Sequence, residues 1–261
     1  MTLTTTETAG LIAIDWGTNN RRGYLLNSDG KVLSIRQDNR GILNLGSSSF
    51  IDLLNEFIKD WRSQTTPERP VLMSGMIGSR HGWVEAPYAA CPVRKDDLIR
   101  DFIPVPGVNN CWIIPGVYMA RDATHHDVMR GEEVQIFGAV DLTNQGSATL
   151  CLPGTHSKWA KVESGQLIEF TTSMTGEVFH VMCEYSILGA LIDKATNHNE
   201  KAFMNGVEAS ESGDILLVGS PELTALYSLA MTQLCVGHQQ VDGSQAVIRG
   251  ISSFWSAHHK F

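Results

Sequence analysis

The sequence lacks an excess of basic charge: its 20 Lys and Arg face 28 Asp and Glu, a formal net charge of -8 over 261 residues. General binders of nucleic acid or anionic membranes gather positive charge against phosphate, so neither class is expected. The sequence also lacks paired-cysteine spacing. Its five cysteines, Cys91, Cys111, Cys151, Cys183 and Cys235, are odd in number and form no C-x-x-C. That argues against a disulfide framework or a zinc cluster, and predicts reduced thiols in the cytoplasm. No apolar run approaches the roughly 18–20 residues that span a bilayer. Residues 1–10 have neither the basic start nor the apolar centre of a secretory signal, and read as a frayed tail. Low-complexity segments are missing, and so is the P-loop pattern G-x-x-x-x-G-K-[ST]. What remains is 43% hydrophobic and 18% charged, enough for a large core in one big domain or two modest lobes.

The apolar pattern predicts a buried strand at Leu11–Asp15, a turn at Trp16–Asn20, and strands at Arg21–Leu26 and Lys31–Arg36 around the hairpin signal Asn27-Ser28-Asp29-Gly30. The same grammar returns in strands at Thr149–Leu152, Lys158–Val162 and Leu167–Thr171, with Pro153-Gly154-Thr155-His156 as the first turn. From Gly17 to Gly154 is 137 positions, so the chain reads as an internal duplication. Further strands are expected at Pro70–Ser74, Cys111–Pro115 and Asp214–Val218. Helices are expected at Phe50–Trp61, Val134–Val140, Val178–Leu188 and Glu222–Leu234. The expected organisation is a tail (1–10), an N-terminal lobe (11–128) and a C-terminal lobe (129–261).

Several groups carry chemistry. Asp15 ends a strand just before Gly17-Thr18, where a carboxylate holds a divalent metal directly or through water. Gly17 admits a phosphate close to the backbone, and the turn amides with Thr18, Asn19 and Asn20 supply donors. A plain hairpin with Asp at its end is the bland reading. Gly154-Thr155 repeats the arrangement, followed by His156 and by Lys158, which could offset developing negative charge. Taken alone, both are as readily structural. Gly219-Ser220 follows a buried strand and precedes a helix, the arrangement found where nucleotides bind. Glu132 and Glu133 open a helix after Arg130-Gly131. Acids there favour the helix dipole in any case, but one of them could be a general base. The glycine-rich Gly75-Met76-Ile77-Gly78-Ser79-Arg80-His81-Gly82-Trp83, followed by Tyr88, is the kind of loop that lines a ligand site. Asp122, His125, His126 and Asp127 match no standard zinc spacing.

Taken together, these stretches resemble the actin-like sugar kinase and hexokinase clan, and within it the 2-dehydro-3-deoxygalactonokinase family. The matching runs are Ile12–Thr18 with Arg22, Ser74–Ser79 with Gly82-Trp83 and Ala86–Tyr88, Trp112–Gly116, Val128–Glu133, Pro153–His156 with Lys158-Trp159, and Met174–Glu177. The resemblance implies an α/β fold of two ribonuclease-H-like lobes with ATP and Mg²⁺ in the cleft. It implies ATP-dependent phosphorylation of the 6-hydroxyl of 2-dehydro-3-deoxy-D-galactonate in galactonate breakdown. A kinase for another sugar or sugar acid, and a non-catalytic ATP-binding sensor, are the competing readings. The family places its base a set distance before the second Gly-Thr. Here Gly131 precedes Gly154 by 23 positions, which selects Glu132, with Glu133 as the alternative. The sugar acid is assigned to Met76, Ile77, Gly78, Ser79, Trp83 and Tyr88, with Arg22, Arg80, Arg130 and Lys158 as candidate partners for its carboxylate. Residues 205–213 stand where the family carries more helical sequence, so the expectation is either a pared-down ATP lobe or one of which part is missing from this chain. A homo-oligomer is expected by analogy.

Overall fold

The computed structural model describes residues 9–62, 68–121, 126–187, 189, 215–222, 224–225, 227–228 and 238–258. In chain order the first half runs β1 (Ala9–Trp16), β2 (Arg21–Asn27), β3 (Val32–Asp38), α1 (Phe50–Arg62), β4 (Val71–Ser74), β5 (Tyr88–Ala90), β6 (Val93–Arg94), α2 (Lys95–Arg100), β7 (Ile103–Pro104), β8 (Cys111–Ile113), β9 (Gly116–Ala120) and β10 (His126–Met129). The second half runs α3 (Glu132–Thr143), β11 (Ala148–Leu152), β12 (Ser157–Glu163), β13 (Gln166–Ser173), α4 (Thr175–Tyr185), β14 (Ile215–Gly219), β15 (His238–Asp242) and α5 (Gly243–His258).

Two six-stranded sheets, ordered β3-β2-β1-β4-β8-β7 and β15-β14-β11-β12-β13-β6, are joined by a small sheet β10-β9-β5. Each large sheet holds an antiparallel trio, β1-β2-β3 or β11-β12-β13. Two parallel strands then extend each trio, β4 and β8 or β14 and β15. The order and directions of these five strands are the same in both, while the sixth sits at opposite ends (β7 beside β8, β6 beside β13), so the duplication is physical: the fold is α/β, with two ribonuclease-H-like lobes of the actin-like kind.

Alternation along the strands explains the layering. Leu11 and Ala13 of β1 face a core shared with Leu150 and Leu152 of β11 and with buried residues of α3 and α5. Ile12, Ile14 and Trp16 face the opposite way, onto Leu53, Leu54, Phe57, Ile58 and Trp61 of α1. Each of these large side chains contributes about 1.5–3 kcal/mol by leaving water. Helices α3 and α5 are therefore sandwiched between the two sheets, and this anchors the start of α3 near the ends of both central strands.

One excursion crosses between the halves. Strand β6 pairs with β13, matching Val93 to Leu167 and Arg94 to Gln166. Lys95 then donates to Asp141 of α3 at 2.9 Å and to Ser253 of α5 at 3.2 Å. Val93–Arg94 thus join the second sheet, with α2 against its helices, although they lie between 11 and 128 in sequence.

The helix expected at Val178–Leu188 starts earlier, at Thr175, and none of its side chains is buried. The strand expected from Asp214 is seen from Ile215. Most of the Glu222–Leu234 helix, the short stretch 205–213, Asp122, His125 and Cys235 lie outside the described residues. No described helix is long and apolar enough to cross a membrane.

Candidate active site

The first turn joins β1 to β2. Asp15 and Arg22 are cross-strand partners at its base. The Gly17 amide donates to the Asn20 carbonyl at 2.9 Å and closes the turn. The carbonyls of Asn19, Gly17 and Thr18 accept the amides of Gly41, Ile42 and Leu43 at 3.0, 3.0 and 3.1 Å. With its carbonyls tied back, the turn presents N–H groups outward, the polarity an anion requires. A cavity of ≈ 270 Å³ opens there, lined by Asp15, Gly17, Thr18, Asn19, Asn20 and Arg22.

The second turn, between β11 and β12, is braced the same way by the start of α4. Gly176 and Glu177 donate their amides to the carbonyls of Gly154 and Thr155 at 3.3 and 3.0 Å. The Thr175 hydroxyl donates to the Gly154 carbonyl at 3.1 Å and meets the Ser157 hydroxyl at 2.5 Å. The first amides of α4, which could otherwise have taken an anion, are spent on the turn. Gly154, Thr155 and His156 remain exposed. The His156 ring pairs through Nε2 with the Glu177 carboxylate.

Lys158 does not join this turn. It is 5% exposed, and its ammonium donates to the Val128 carbonyl at 2.7 Å and the Thr172 hydroxyl at 2.6 Å. Asp127 completes that cluster, accepting from the Thr172 amide and hydroxyl at 2.5 and 2.6 Å. Asp127 is thus engaged in holding β13 to β10. Among the described residues no three His, Cys, Asp or Glu form a metal-holding group.

Between the turns lies the start of α3. Gly131 has φ of 107°, a region closed to most side chains. A Cβ there would lie 3.3 Å from Gly75 Cα, and one on Gly75 would lie 3.1 Å from the Asp15 carboxylate. These two glycines let α3 approach the end of β1. Glu132 accepts the Arg130 amide at 3.1 Å, and Glu133 accepts the Gly131 amide at 2.7 Å. The two acids differ in access. Glu133 is fully buried, with one carboxyl oxygen unpartnered. Burial and the neighbouring Glu132 push its pKa up to about 8. Glu132 is half-buried. Burial raises its pKa, while its hydrogen bonds and the charges of Lys158 and His156 pull it back. Asp15 takes no hydrogen bond among the described residues. Burial lifts its pKa to about 6, with Arg22 opposing and Glu132 adding to the rise.

A larger cavity of ≈ 510 Å³ runs from Asp15 and Arg22 to Pro153, Gly219, Ser220 and the first turn of α5. It therefore adjoins the first turn and reaches the residue before Gly154. Its walls include Tyr24, Gln37, Gln135, Ser244 and Gln245, none of which the sequence had marked. The Asp242-Gly243 pair that opens α5 was the available signal. The other three, Tyr24, Gln37 and Gln135, sit on two strands and a helix as ordinary polar or aromatic residues.

The glycine-rich loop forms a tight turn after β4. Ile77 is wholly buried, so its side chain belongs to the core and its backbone to the loop. Trp83 stacks on Phe50 at 5.9 Å. Arg130 lies over the Tyr88 ring at 4.2 Å and donates through Nη2 to the Ala86 carbonyl at 2.7 Å. Its Nη1 and the nearby loop hydroxyl of Ser79 are buried without partners. Gly78 borders that nitrogen, since a Cβ there would lie 2.9 Å from it. Arg80 is exposed. Arg22 stands with the first turn and not with this loop.

With this geometry in view, comparisons with known proteins are specific. A family profile described as 2-keto-3-deoxy-galactonokinase matches residues 15–214. An Escherichia coli protein named 2-dehydro-3-deoxygalactonokinase is 40% identical over 201 residues, covering 77% of this chain and 65% of that protein. This chain thus spans just under two thirds of that relative's length. A Rhizobium meliloti protein described as a probable 2-dehydro-3-deoxygalactonokinase is 32% identical over 240 residues, 90% of this chain and 76% of that one. A crystal structure from Sinorhizobium meliloti, with a provisional designation of the same kind, superposes with a TM-score of 0.84 at 27% identity, covering 95% and 98% of the two chains.

Proposed function

Because the chain belongs to the 2-keto-3-deoxy-galactonokinase family, we propose that it phosphorylates the 6-hydroxyl of 2-dehydro-3-deoxy-D-galactonate, with ATP as donor, in galactonate breakdown in the cytoplasm. The observation that carries this reading is the pair of turns with carbonyls tied from behind, those of Gly17, Thr18 and Asn19 in one and of Gly154 and Thr155 in the other, with Asp15 and Glu132 alongside. Membership of a kinase family supports the use of ATP.

In this reading the triphosphate lies between Gly17–Asn20 and Gly154–His156. The nucleoside end occupies the ≈ 510 Å³ cavity along Gly219, Ser220 and the start of α5. Asp15 suits Mg²⁺: it is a half-buried carboxylate without a hydrogen-bond donor among the described residues, and its raised pKa means that a cation would stabilise its charged form. Mg²⁺ typically binds through one or two carboxylates plus substrate phosphates. When bound, it supplies charge neutralisation along the polyphosphate.

The sugar acid lies along Met76–Ser79, Trp83 and Tyr88. Arg130 is the cation best placed for its carboxylate. Lys158 is engaged elsewhere, Arg22 belongs to the phosphate side and Arg80 points to solvent, whereas Arg130 Nη1 and Ser79 Oγ lack partners. Glu132 is the general base. Glu133 is sealed in the interior and fixes the Gly131 turn. A base of this kind accelerates proton removal by about 10²–10⁴-fold.

The test is ADP release from Mg·ATP with a panel of sugars and sugar acids, with the product located by ³¹P NMR. Release dependent on 2-dehydro-3-deoxy-D-galactonate, with phosphate on its 6-oxygen, is expected. Release with a different acceptor alone would contradict the assigned substrate. ATP binding without release for any acceptor would contradict an enzymatic role.

A further inference from the structure

Two basic side chains follow the second turn, His156 and Lys158, and the structure gives them different work. Lys158 is nearly sealed from solvent, with two hydrogen bonds inside the protein and the Asp127 carboxylate at 3.8 Å. Turning it toward a phosphate would break that cluster. His156 sits on the exposed part of the turn. Its Nε2 is held by Glu177. Glu177 is itself fixed, because its amide donates to the Thr155 carbonyl at 3.0 Å. The helix start that braces the turn therefore also aims the ring. With Nε2 engaged, Nδ1 is the ring nitrogen left to meet a ligand.

We propose that His156 is a catalytic residue that donates a ring N–H to the γ-phosphoryl oxygens of ATP, and that Glu177 is its positioning residue. This rests on the kinase reading above. In the transfer, the acceptor hydroxyl oxygen forms a bond to the γ-phosphorus. The bond from that phosphorus to the β–γ bridging oxygen breaks, and its electron pair leaves with ADP. The hydroxyl proton passes to Glu132. His156 hydrogen-bonds a non-bridging oxygen throughout and exchanges no net proton. With Nε2–H given to the Glu177 carboxylate, donation from Nδ1 requires a ring that carries both protons, so the proposed species is an imidazolium held between two anions, Glu177 and the γ-phosphate, at a turn whose nearby lysine is occupied.

The test is calorimetric binding of ATP and of ADP, each with Mg²⁺, alongside kcat for the acid. In His156→Gln, the preference for ATP over ADP falls by about 10-fold or more and kcat by about 10–100-fold, with ADP affinity held within about twofold. Glu177→Gln gives a smaller loss of the same kind. The double variant is no worse than His156→Gln alone, because the two residues act as one unit. Added imidazole restores part of the activity of His156→Ala, which a merely structural role would not allow. An unchanged ATP preference and kcat in His156→Gln would overturn the inference, and so would strictly additive losses in the double variant. If the wild type prefers ATP through His156 yet phosphorylates no sugar acid, the substrate reading fails and this inference stands. If the wild type binds no nucleotide, both fail.

Discussion

The two hairpin turns assigned to phosphate are held from behind by different means. In the first, the amides of Gly41, Ile42 and Leu43 hold the carbonyls. That loop is anchored in a packed core, with Ile42 buried against the α1 side. In the second, the amides of Gly176 and Glu177 do the holding. They belong to α4, a helix with no buried side chain. Phe179 and Tyr185 of that helix are 71% and 80% exposed. What the hairpin duplication reproduces is the turn, while the brace behind each was recruited separately. Donors on the carbonyl side, more than the Gly-Thr dipeptide, decide which way the turn's N–H groups point.

The largest effect should come from disturbing the rigid brace. In Gly41→Ala the new Cβ would lie 2.3 Å from the Thr18 carbonyl oxygen, with little freedom to move. A displaced turn is expected to lower kcat/KM for ATP by about 10²-fold. In Gly176→Ala the corresponding contact is 2.8 Å, to the Gly154 carbonyl oxygen. Because α4 can shift, about a tenfold loss is expected there. Steady-state kinetics of the two variants would break the comparison if Gly176→Ala proved the more damaging.

A smaller effect sharpens the contrast between the neighbouring acids. Glu133 has a native pKa of about 8, above its ordinary 4.5. The folded state therefore binds the extra proton, and stability declines as pH rises from about 4.5 to about 8. Glu133→Gln removes that decline. Its Tm should match the wild type near pH 5 and exceed it above pH 8 by on the order of 5 °C. Thermal melts across that range would show it. A variant that melts lower at every pH would mean that the Glu133 carboxylate is charged and needed.

Much of the architecture was legible because both strand trios alternate cleanly and end in recognisable turns. Asp15, Gly17, Gly154 and Glu132 could be singled out as candidates because their residue types lie in contiguous motifs. The crossing of β6 was not legible: Val93–Arg94 is a two-residue strand, and its partners lie more than 70 positions away. The internal engagement of Lys158 was not legible for a similar reason. Its distance from Gly-Thr is a sequence property, but its acceptors, Val128 and Thr172, come from β10 and β13. Tyr24, Gln37, Gln135 and Ser244 converge on one cavity from four separate elements, and no local pattern joins them. Glu177 stood inside a matched motif, yet its pairing with His156 appears once α4 is seen seated on the turn.

The central claim is that the two turns present one triphosphate to an acceptor whose proton Glu132 removes. Single-turnover phosphoryl transfer in Glu132→Gln, measured together with Mg·ATP affinity, tests it most directly. The account predicts a rate lowered by about 10²–10⁴-fold with ATP affinity preserved. Transfer at the wild-type rate with Glu132 replaced would contradict it.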